Sequence, residues 1–184
     1  GYYAVAESIA GVLIFIPTIL SQTIMPILIQ NYQVNKEQYQ VKAQLFMDVT
    51  IWLCIIMCLI VSLLAPFVIR LLYGSQYESS ILLLQVCVFK VIGYAFAQVT
   101  GAMIITEGKQ KYVVIRNIIG CVCAILLNLL LLPRYGVLGA AFTSIIASVT
   151  VGYVAHALVP SYHQICKMQT MSILKGWLNV FRIK

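Results

Sequence analysis

Five apolar runs, each long enough to cross a lipid bilayer, fill most of the chain between Ala4 and Val159. They cover 4–29, 45–69, 80–106, 112–132 and 137–159, and a spanning helix needs about 20 such residues for a hydrocarbon core of about 30 Å. None alternates with the period of two that a barrel strand requires. Only 9% of the residues are charged, against about a quarter in a soluble domain, so these residues cannot furnish a water-facing surface. The bias is apolar, which also excludes disorder. The expected fold is all-α and integral to a membrane: five transmembrane helices of one bundle over 1–160, then an amphipathic interfacial helix within the tail 161–184.

Polar punctuation between the runs sets a topology. Gln30 to Gln44 carries Lys36, Glu37 and Lys42; Arg70 and Tyr73-Gly74-Ser75-Gln76 close the second run; Glu107-Gly108-Lys109-Gln110-Lys111 follows the third. Pro133-Arg134-Tyr135-Gly136 turns the chain after the fourth, and Pro160 ends the fifth. Lys36, Lys42, Lys109, Lys111, Arg116, Lys167, Lys175, Arg182 and Lys184 fall on one face, whereas only Arg70 and Arg134 fall on the other. The positive-inside rule makes the first face cytoplasmic, with the C-terminus inside. The formal charge of +7 is thus an orienting device and not a nucleic-acid surface. The chain opens Gly-Tyr-Tyr-Ala with no initiator Met and no signal region, so it is expected to continue a longer polypeptide whose N-terminal half precedes it.

Within the runs, Lys90 stands out. It lies ten residues into the third run, about 15 Å deep at the helical rise, where an ionisable group is costly and marks a functional position. Tyr94, Ala97 and Gly101 follow it at helical spacing, a face suited to an anionic ligand. In the first run Glu7, Gly11, Thr18, Ser21 and Met25 form a stripe, with Glu7 near the outer mouth as a carboxylate for ion coupling, and Pro17 and Pro26 are expected to break or kink the helix. Arg116 and Asn117 begin a stripe with Ala124 and Asn128; Gly139, Thr143, Thr150 and Tyr153 form another, and such amides and hydroxyls mostly join helices. The candidate substrate-binding residues are therefore Lys90, Arg116, Tyr94 and Asn117. Asp48, the sole aspartate, and Arg70 read as interface anchors. In the tail, Met171, Leu174, Trp177, Leu178 and Phe181 share one helical arc, and Ser172, Lys175, Asn179 and Arg182 the other.

Soluble catalytic patterns do not occur. The sequence has no Gly-rich phosphate loop, no HExxH and no GxSxG, and His156 and His163 stand without a ligand partner at metal spacing. No metal or other cofactor is expected, and an enzyme is disfavoured. Cys54, Cys58, Cys87, Cys121, Cys123 and Cys166 form no CxxC pair and read as small packing residues.

Three stretches carry a family resemblance. Gly1-Tyr2-Tyr3-Ala4-Val5-Ala6 through Ile16-Pro17 to Pro26 is similar to a Gly-x-Tyr-x-x-Ala helix with a later proline. Leu72-Tyr73-Gly74-Ser75-Gln76-Tyr77 resembles a Leu-Tyr-Gly-x-x-Tyr external turn. Gly108-Lys109, Asn117, Asn128, Leu132-Pro133 and Tyr135-Gly136-Val137-Leu138-Gly139-Ala140-Ala141 resemble a Gly-Lys loop, an Asn-bearing helix and a Gly-x-x-Gly-Ala-Ala helix start. In this order they resemble the later helices of Wzx-type polysaccharide flippases, in the superfamily that also holds multidrug and toxin extrusion transporters. The resemblance implies two pseudo-symmetric bundles around a cavity, of which this chain is the last five helices. It implies alternating access, cation or proton coupling, and an undecaprenyl-pyrophosphate-linked oligosaccharide as cargo for surface polysaccharide such as O-antigen. The implied partners are membrane lipid, the N-terminal bundle and a polysaccharide polymerase machinery, in a bacterial inner membrane. The competing expectations are a cation-coupled exporter of drugs or metabolites with the same fold, and a membrane-embedded glycan-processing enzyme.

Overall fold

A computed structural model describes residues 1–181 of the chain; Arg182, Lys184 and the side chain of Phe181 lie outside what is described. The chain is 94% helical, with no strand among the described residues. The elements are α1 (Tyr2–Val34), α2 (Lys36–Tyr73), α3 (Ser79–Cys87), α4 (Lys90–Thr106), α5 (Val113–Val149), a π-helical turn (Thr150–Val154), α6 (Ala155–Leu158) and α7 (His163–Phe181). Four helical stretches are long and apolar enough to cross a membrane: Tyr2–Val34, Lys36–Tyr73, Ser79–Thr106 and Gln110–Leu158.

The last of these stretches is 49 residues long and does not run straight. Gly136, at φ +56° and ψ −135°, lies outside helical geometry, and a residue with a side chain is strained there. Gly139 then sits against the Leu131 carbonyl, Gly120 against Val151, and Cys123 Sγ lies 3.6 Å from Thr150 Oγ1. A straight helix would hold residues 120 and 151 about 45 Å apart. The stretch is therefore two antiparallel limbs, 113–135 and 137–158, folded at the Pro133-Arg134-Tyr135-Gly136 turn.

The polar segment 30–44 also differs from expectation. It is helical up to Val34 and again from Lys36, and the connection is Asn35 alone. Asn35 is extended (φ −151°, ψ 105°), and its Oδ1 accepts the amides of Glu37 at 2.9 Å and Gln38 at 3.2 Å. That is an N-cap answering two donors with one side chain. Lys42 Nζ donates to Asn31 Oδ1 at 3.0 Å across the hairpin. At 1.5 Å per residue, α1 and α2 reach about 50 and 57 Å, so both extend past their apolar runs. α1 also continues through Pro17 and Pro26, so the prolines, expected to break or kink the helix, do not break it. Each proline removes one helical bond, and a full interruption in apolar surroundings would strand more amides than that.

α4 is the central element, packed against α1, α2, α5 and the π turn. Val88, Val91, Ala95, Val99 and Met103 meet Met47, Ile51, Cys54 and Cys58 of α2 in the core. On another side, backbones approach directly: a Cβ on Gly93 would overlap Ser148, and one on Gly152 would overlap the Gly93 carbonyl.

Contacts sort the connections into two ends. At one end Tyr39 Oη donates to Glu107 Oε1 at 3.0 Å, Lys109 Nζ pairs with Glu107 Oε2 at 2.6 Å, and Tyr162 Oη donates to the Lys109 carbonyl at 3.1 Å. Tyr39 lies in the extension beyond the second apolar run. Burial, and then the Glu107 charge, push its pKa up, so it stays a donor. At the other end Ser80 Oγ donates to the Tyr2 carbonyl at 3.0 Å, the Tyr2 and Tyr77 rings stand 5.7 Å apart, and Arg70 pairs with Glu78 at 2.9 Å.

α7 runs as a helix within the expected tail, yet part of its polar side turns inward while Lys167 and Lys175 stay exposed. Ile165, Gln169, Ser172 and Gly176 form its buried stripe. Gln44 Nε2 of α2 donates to the Met168 carbonyl at 3.1 Å and Trp52 Nε1 to the Ser172 carbonyl at 3.1 Å. Asp48, expected as an interface anchor, is fully buried beneath this helix. Gln44 Nε2 reaches its Oδ1 at 2.8 Å and Asn179 Nδ2 its Oδ2 at 2.7 Å. Ser172 and Asn179 thus serve the docking seam, because a buried carboxylate needs donors, while Met171, Leu174, Trp177 and Leu178 face outward.

Gly93→Val should drive α4 away from the second limb. The expected result is a loss of about 2–3 kcal/mol, read as a lower midpoint of thermal unfolding in detergent, whereas Gly101→Ala, where a Cβ meets nothing within 4 Å, should leave the midpoint unchanged.

Candidate functional site

Lys90 opens α4 directly after the interruption that separates it from α3. At Val88 and Phe89 the hydrogen-bond ladder shifts: the amides of Phe89, Val91 and Ile92 bond carbonyls three residues back, at 3.2, 3.1 and 3.2 Å. Mid-helix turns of this tighter kind often mark hinges or functional positions. Neither glycine nor proline causes the shift. Its support comes from α2, where Cys58 Sγ donates to the Val88 carbonyl at 3.3 Å. Gln85 Nε2 donates to the Ser62 carbonyl at 3.2 Å, and Ser62 Oγ makes a long 3.5 Å contact in return to the Gln85 carbonyl. That carbonyl is one the shifted ladder leaves without its usual partner.

The Lys90 ammonium pairs with Glu7 of α1. The two were expected at different depths, Lys90 exposed to a ligand and Glu7 near the outer mouth. Helical side chains lean toward the N-terminus, so the lysine stem reaches back along α4 toward the end where Tyr2 meets Ser80, and closes the gap to Glu7. The Lys90 side chain is only 4% exposed and that of Glu7 is 41% exposed. Glu7 Oε1 holds the lysine, while Oε2 is buried without a partner among the described residues. Tyr3 and Cys87 lie close to the carboxylate, and Ser144 lies close to Tyr3. The charge of the lysine is answered by Glu7; the second carboxylate oxygen, with the Tyr3 hydroxyl nearby, keeps acceptor capacity for a proton, a cation or a hydrogen-bond donor.

The expected stripe on α4 divides. Tyr94 is exposed and Ala97, Gln98 and Gly101 are half-buried, whereas Lys90 turns inward. On α1, Gly11 and Thr18 are also partly uncovered. A Cβ on Gly11 or Gly101 would meet nothing within 4 Å, so neither glycine serves a close helix contact within this chain. Elsewhere the uncovered surface is mostly apolar, as in Leu59, Ile60, Leu63 and Phe67 of α2 and Val122, Ile125, Leu126 and Leu129 of the first limb of α5, with Ser8, Gln22, Thr23 and Asn117 as exposed polar exceptions.

Of the four residues read as substrate-binding, only Tyr94 stays near Lys90, one turn further along α4. Arg116 and Asn117 lie at the far end, since α4 carries the chain roughly 24 Å between Lys90 and Thr106. Arg116 is buried beside His156 and Tyr162, whereas Asn117 points to the exposed side. In the second limb, Thr143 Oγ1 donates back to the Gly139 carbonyl of its own helix at 3.0 Å, and Tyr153 Oη lies 2.9 Å from Thr170 Oγ1 of α7, so the first hydroxyl is spent within its helix and the second joins two elements. Sequence reasoning missed Cys58, Ser62 and Gln85. The i, i+4 spacing of Cys58 and Ser62 was the available signal, and nothing in it pointed to α3.

The charge pair predicts an asymmetric response. Glu7→Gln leaves a buried ammonium unanswered and should cost about 3 kcal/mol; Lys90→Met leaves a partly exposed carboxylate and should cost less. The double variant should recover most of the Glu7→Gln loss in a double-mutant cycle by chemical unfolding, and additive losses would show that the pair is not coupled. No family model, curated protein or solved structure matches the chain.

Proposed function

We propose that this chain is the C-terminal bundle of a lipid-linked oligosaccharide flippase, moving an undecaprenyl-pyrophosphate-linked glycan across a bacterial plasma membrane. The observation that carries this reading is the Lys90–Glu7 pair at a helix interruption, its lysine buried and its carboxylate partly exposed, on the helix that also bears exposed Tyr94 and half-buried Ala97, Gln98 and Gly101 in a bundle whose outer surface is mostly apolar. A polar, small-residue face has little reason to meet lipid and good reason to line a hydrated pathway. The resemblance of the Gly1–Pro26, Leu72–Tyr77 and Gly108–Ala141 motifs to Wzx-type proteins supports the same reading.

On this proposal the chain crosses the membrane five times, the two limbs of the Gln110–Leu158 stretch counting separately. The end bearing Lys36, Lys42, Lys109, Lys111 and Lys167 is cytoplasmic. The N-terminal bundle of the same polypeptide supplies the opposite wall, and the polymerase machinery receives the exported glycan. The pyrophosphate competes with Glu7 for Lys90. When Glu7 takes up a proton or cation, the ammonium is released to the anion; when Glu7 is free again, it reclaims Lys90 and expels the cargo. Alternating rocking of the two bundles sets which leaflet the exchange faces. The open oxygen of Glu7 equally favours a cation-coupled exporter of drugs or metabolites, and the cargo decides between the two.

In the full-length protein, export of labelled lipid-linked glycan should fall at least tenfold for Lys90→Ala at equal expression, and Lys90→Arg should retain part of the rate. Wild-type rates in both variants would overturn the role of Lys90. Export of a cationic drug by vesicles that do not move the glycan would select the exporter.

A further inference from the structure

Arg116 and His156 are polar side chains that the bundle buries and does not answer. Arg116 is 9% exposed and His156 fully buried. Among the described residues, Nε and Nη1 of Arg116 have no hydrogen-bond partner, and the His156 ring lies near the Gly152 carbonyl without a well-formed hydrogen bond at either nitrogen. Other orphaned atoms occur singly, as at Ser21, Thr50 and Ser172; here two side chains from opposite limbs come together. Gly120 meets Val151 one turn further on, which holds the limbs close and directs Arg116 between them. No carboxylate among the described residues pairs with it, and the nearby Glu107 is committed to Tyr39 and Lys109.

The donors left unpartnered indicate the ligand chemistry that suits them. A guanidinium carries five N–H donors and no acceptor, so its unpartnered Nε and Nη1, which lie on different edges, each call for an oxygen, the chemistry that a phosphate supplies. A neutral imidazole adds one more N–H. Tyr162 stands over the pair with its ring 5.3 Å from that of His156, and Tyr112 packs edge-on against it at 6.0 Å. The Tyr162 hydroxyl is fixed on the Lys109 carbonyl, which sets the Lys109–Lys111 loop beside the site. Arg116 lies about one helical turn inside its apolar run, and its long side chain leans toward the helix N-terminus, toward the headgroup level and the end of the bundle where cations concentrate. Basic pockets between helices at that level take anionic headgroups.

We infer that Arg116 and His156 form a phosphate-binding site, separate from Lys90, that accepts the phosphate of an anionic lipid headgroup or free phosphate. It is tested without transport, on full-length protein in a non-ionic detergent, by thermal shift and native mass spectrometry. The probes are dioleoyl phosphatidylglycerol, inorganic phosphate and dioleoylglycerol, which has the same tails and no phosphate. Phosphatidylglycerol should raise the unfolding midpoint saturably and dioleoylglycerol should not. A shift with inorganic phosphate as well extends the site to the free anion; a shift with inorganic phosphate alone makes the free anion its ligand. Arg116→Gln should weaken binding at least tenfold, Arg116→Lys should fall between, and Arg134→Gln, at the opposite end, should bind as wild type. Without ligand, Arg116→Gln should unfold no earlier than wild type, because it removes an unanswered charge, and this separates loss of binding from loss of fold. Equal binding by Arg116→Gln, or no shift with either phosphate probe, would overturn the site in favour of an ion pair with another part of the polypeptide.

Discussion

Backbone amides in apolar surroundings have to be answered within the protein, and in this chain the polar side chains gather where the helical ladder is interrupted. Asn35 caps α2 at the hairpin with α1. Cys58 and Ser62 meet the carbonyls of the α3–α4 shift. At the π turn, Gln169 of α7 donates to the Gly152 carbonyl at 2.6 Å. Each repair comes from outside the interrupted turn, so each interruption also fixes a tertiary contact. The α3–α4 shift sets Lys90 at the head of α4, and the π turn brings Gly152 onto Gly93. The polar sites therefore follow from how the breaks are mended.

The two buried cations show opposite solutions to one cost. A lysine or arginine shut away from water requires an opposite charge or a set of acceptors. Lys90 receives Glu7 from within the bundle, and the carboxylate stays partly exposed. Arg116 receives nothing among the described residues. An internally compensated charge suits exchange, in which a competing anion has to displace an existing partner. An uncompensated one suits retention, in which the ligand completes a site that is otherwise unfavourable. On the proposed reading these are the different demands of a moving cargo and a resident headgroup.

How far the sequence reveals this depends on whether a feature is local. The apolar runs are local, and they place the helices. The Pro133–Gly136 turn is local too: its residues mark a fold-back even though helix spans 113–149 around Gly136. Asn35 ahead of Glu37 and Gln38 was a readable cap, but the surrounding polar composition suggests a loop, and helix tolerates such residues as well as a loop does. The shift at Val88 and Phe89 has no local cause, since it rests on Cys58, Ser62 and Gln85. Lys90 and Glu7 lie 83 positions apart, and depth along each helix separates them until the lean of the lysine stem is included. Arg116 shows the same limit, because its isolation depends on which carboxylates other elements bring near.

α7 extends this reasoning to the tail. A soluble amphipathic helix buries its apolar arc; this one buries Gln169, Ser172 and Gly176 and turns Met171, Leu174, Trp177 and Leu178 outward. That inversion is favourable only if the outward arc meets something apolar, and Lys167 and Lys175, both exposed, suit a helix lying along a headgroup layer. The buried stripe ties α7 to the second limb through Gln169 and Thr170, and to α2 through Asp48 and Trp52. Any movement of the second limb relative to α2 must then break one of these bonds or carry α7 with it. The bond most costly to break is the one to Asp48, because it would leave a fully buried carboxylate short of a donor. The Gln169–Gly152 contact ends on a neutral carbonyl and gives way first, so the π turn is the part of this seam where motion can begin.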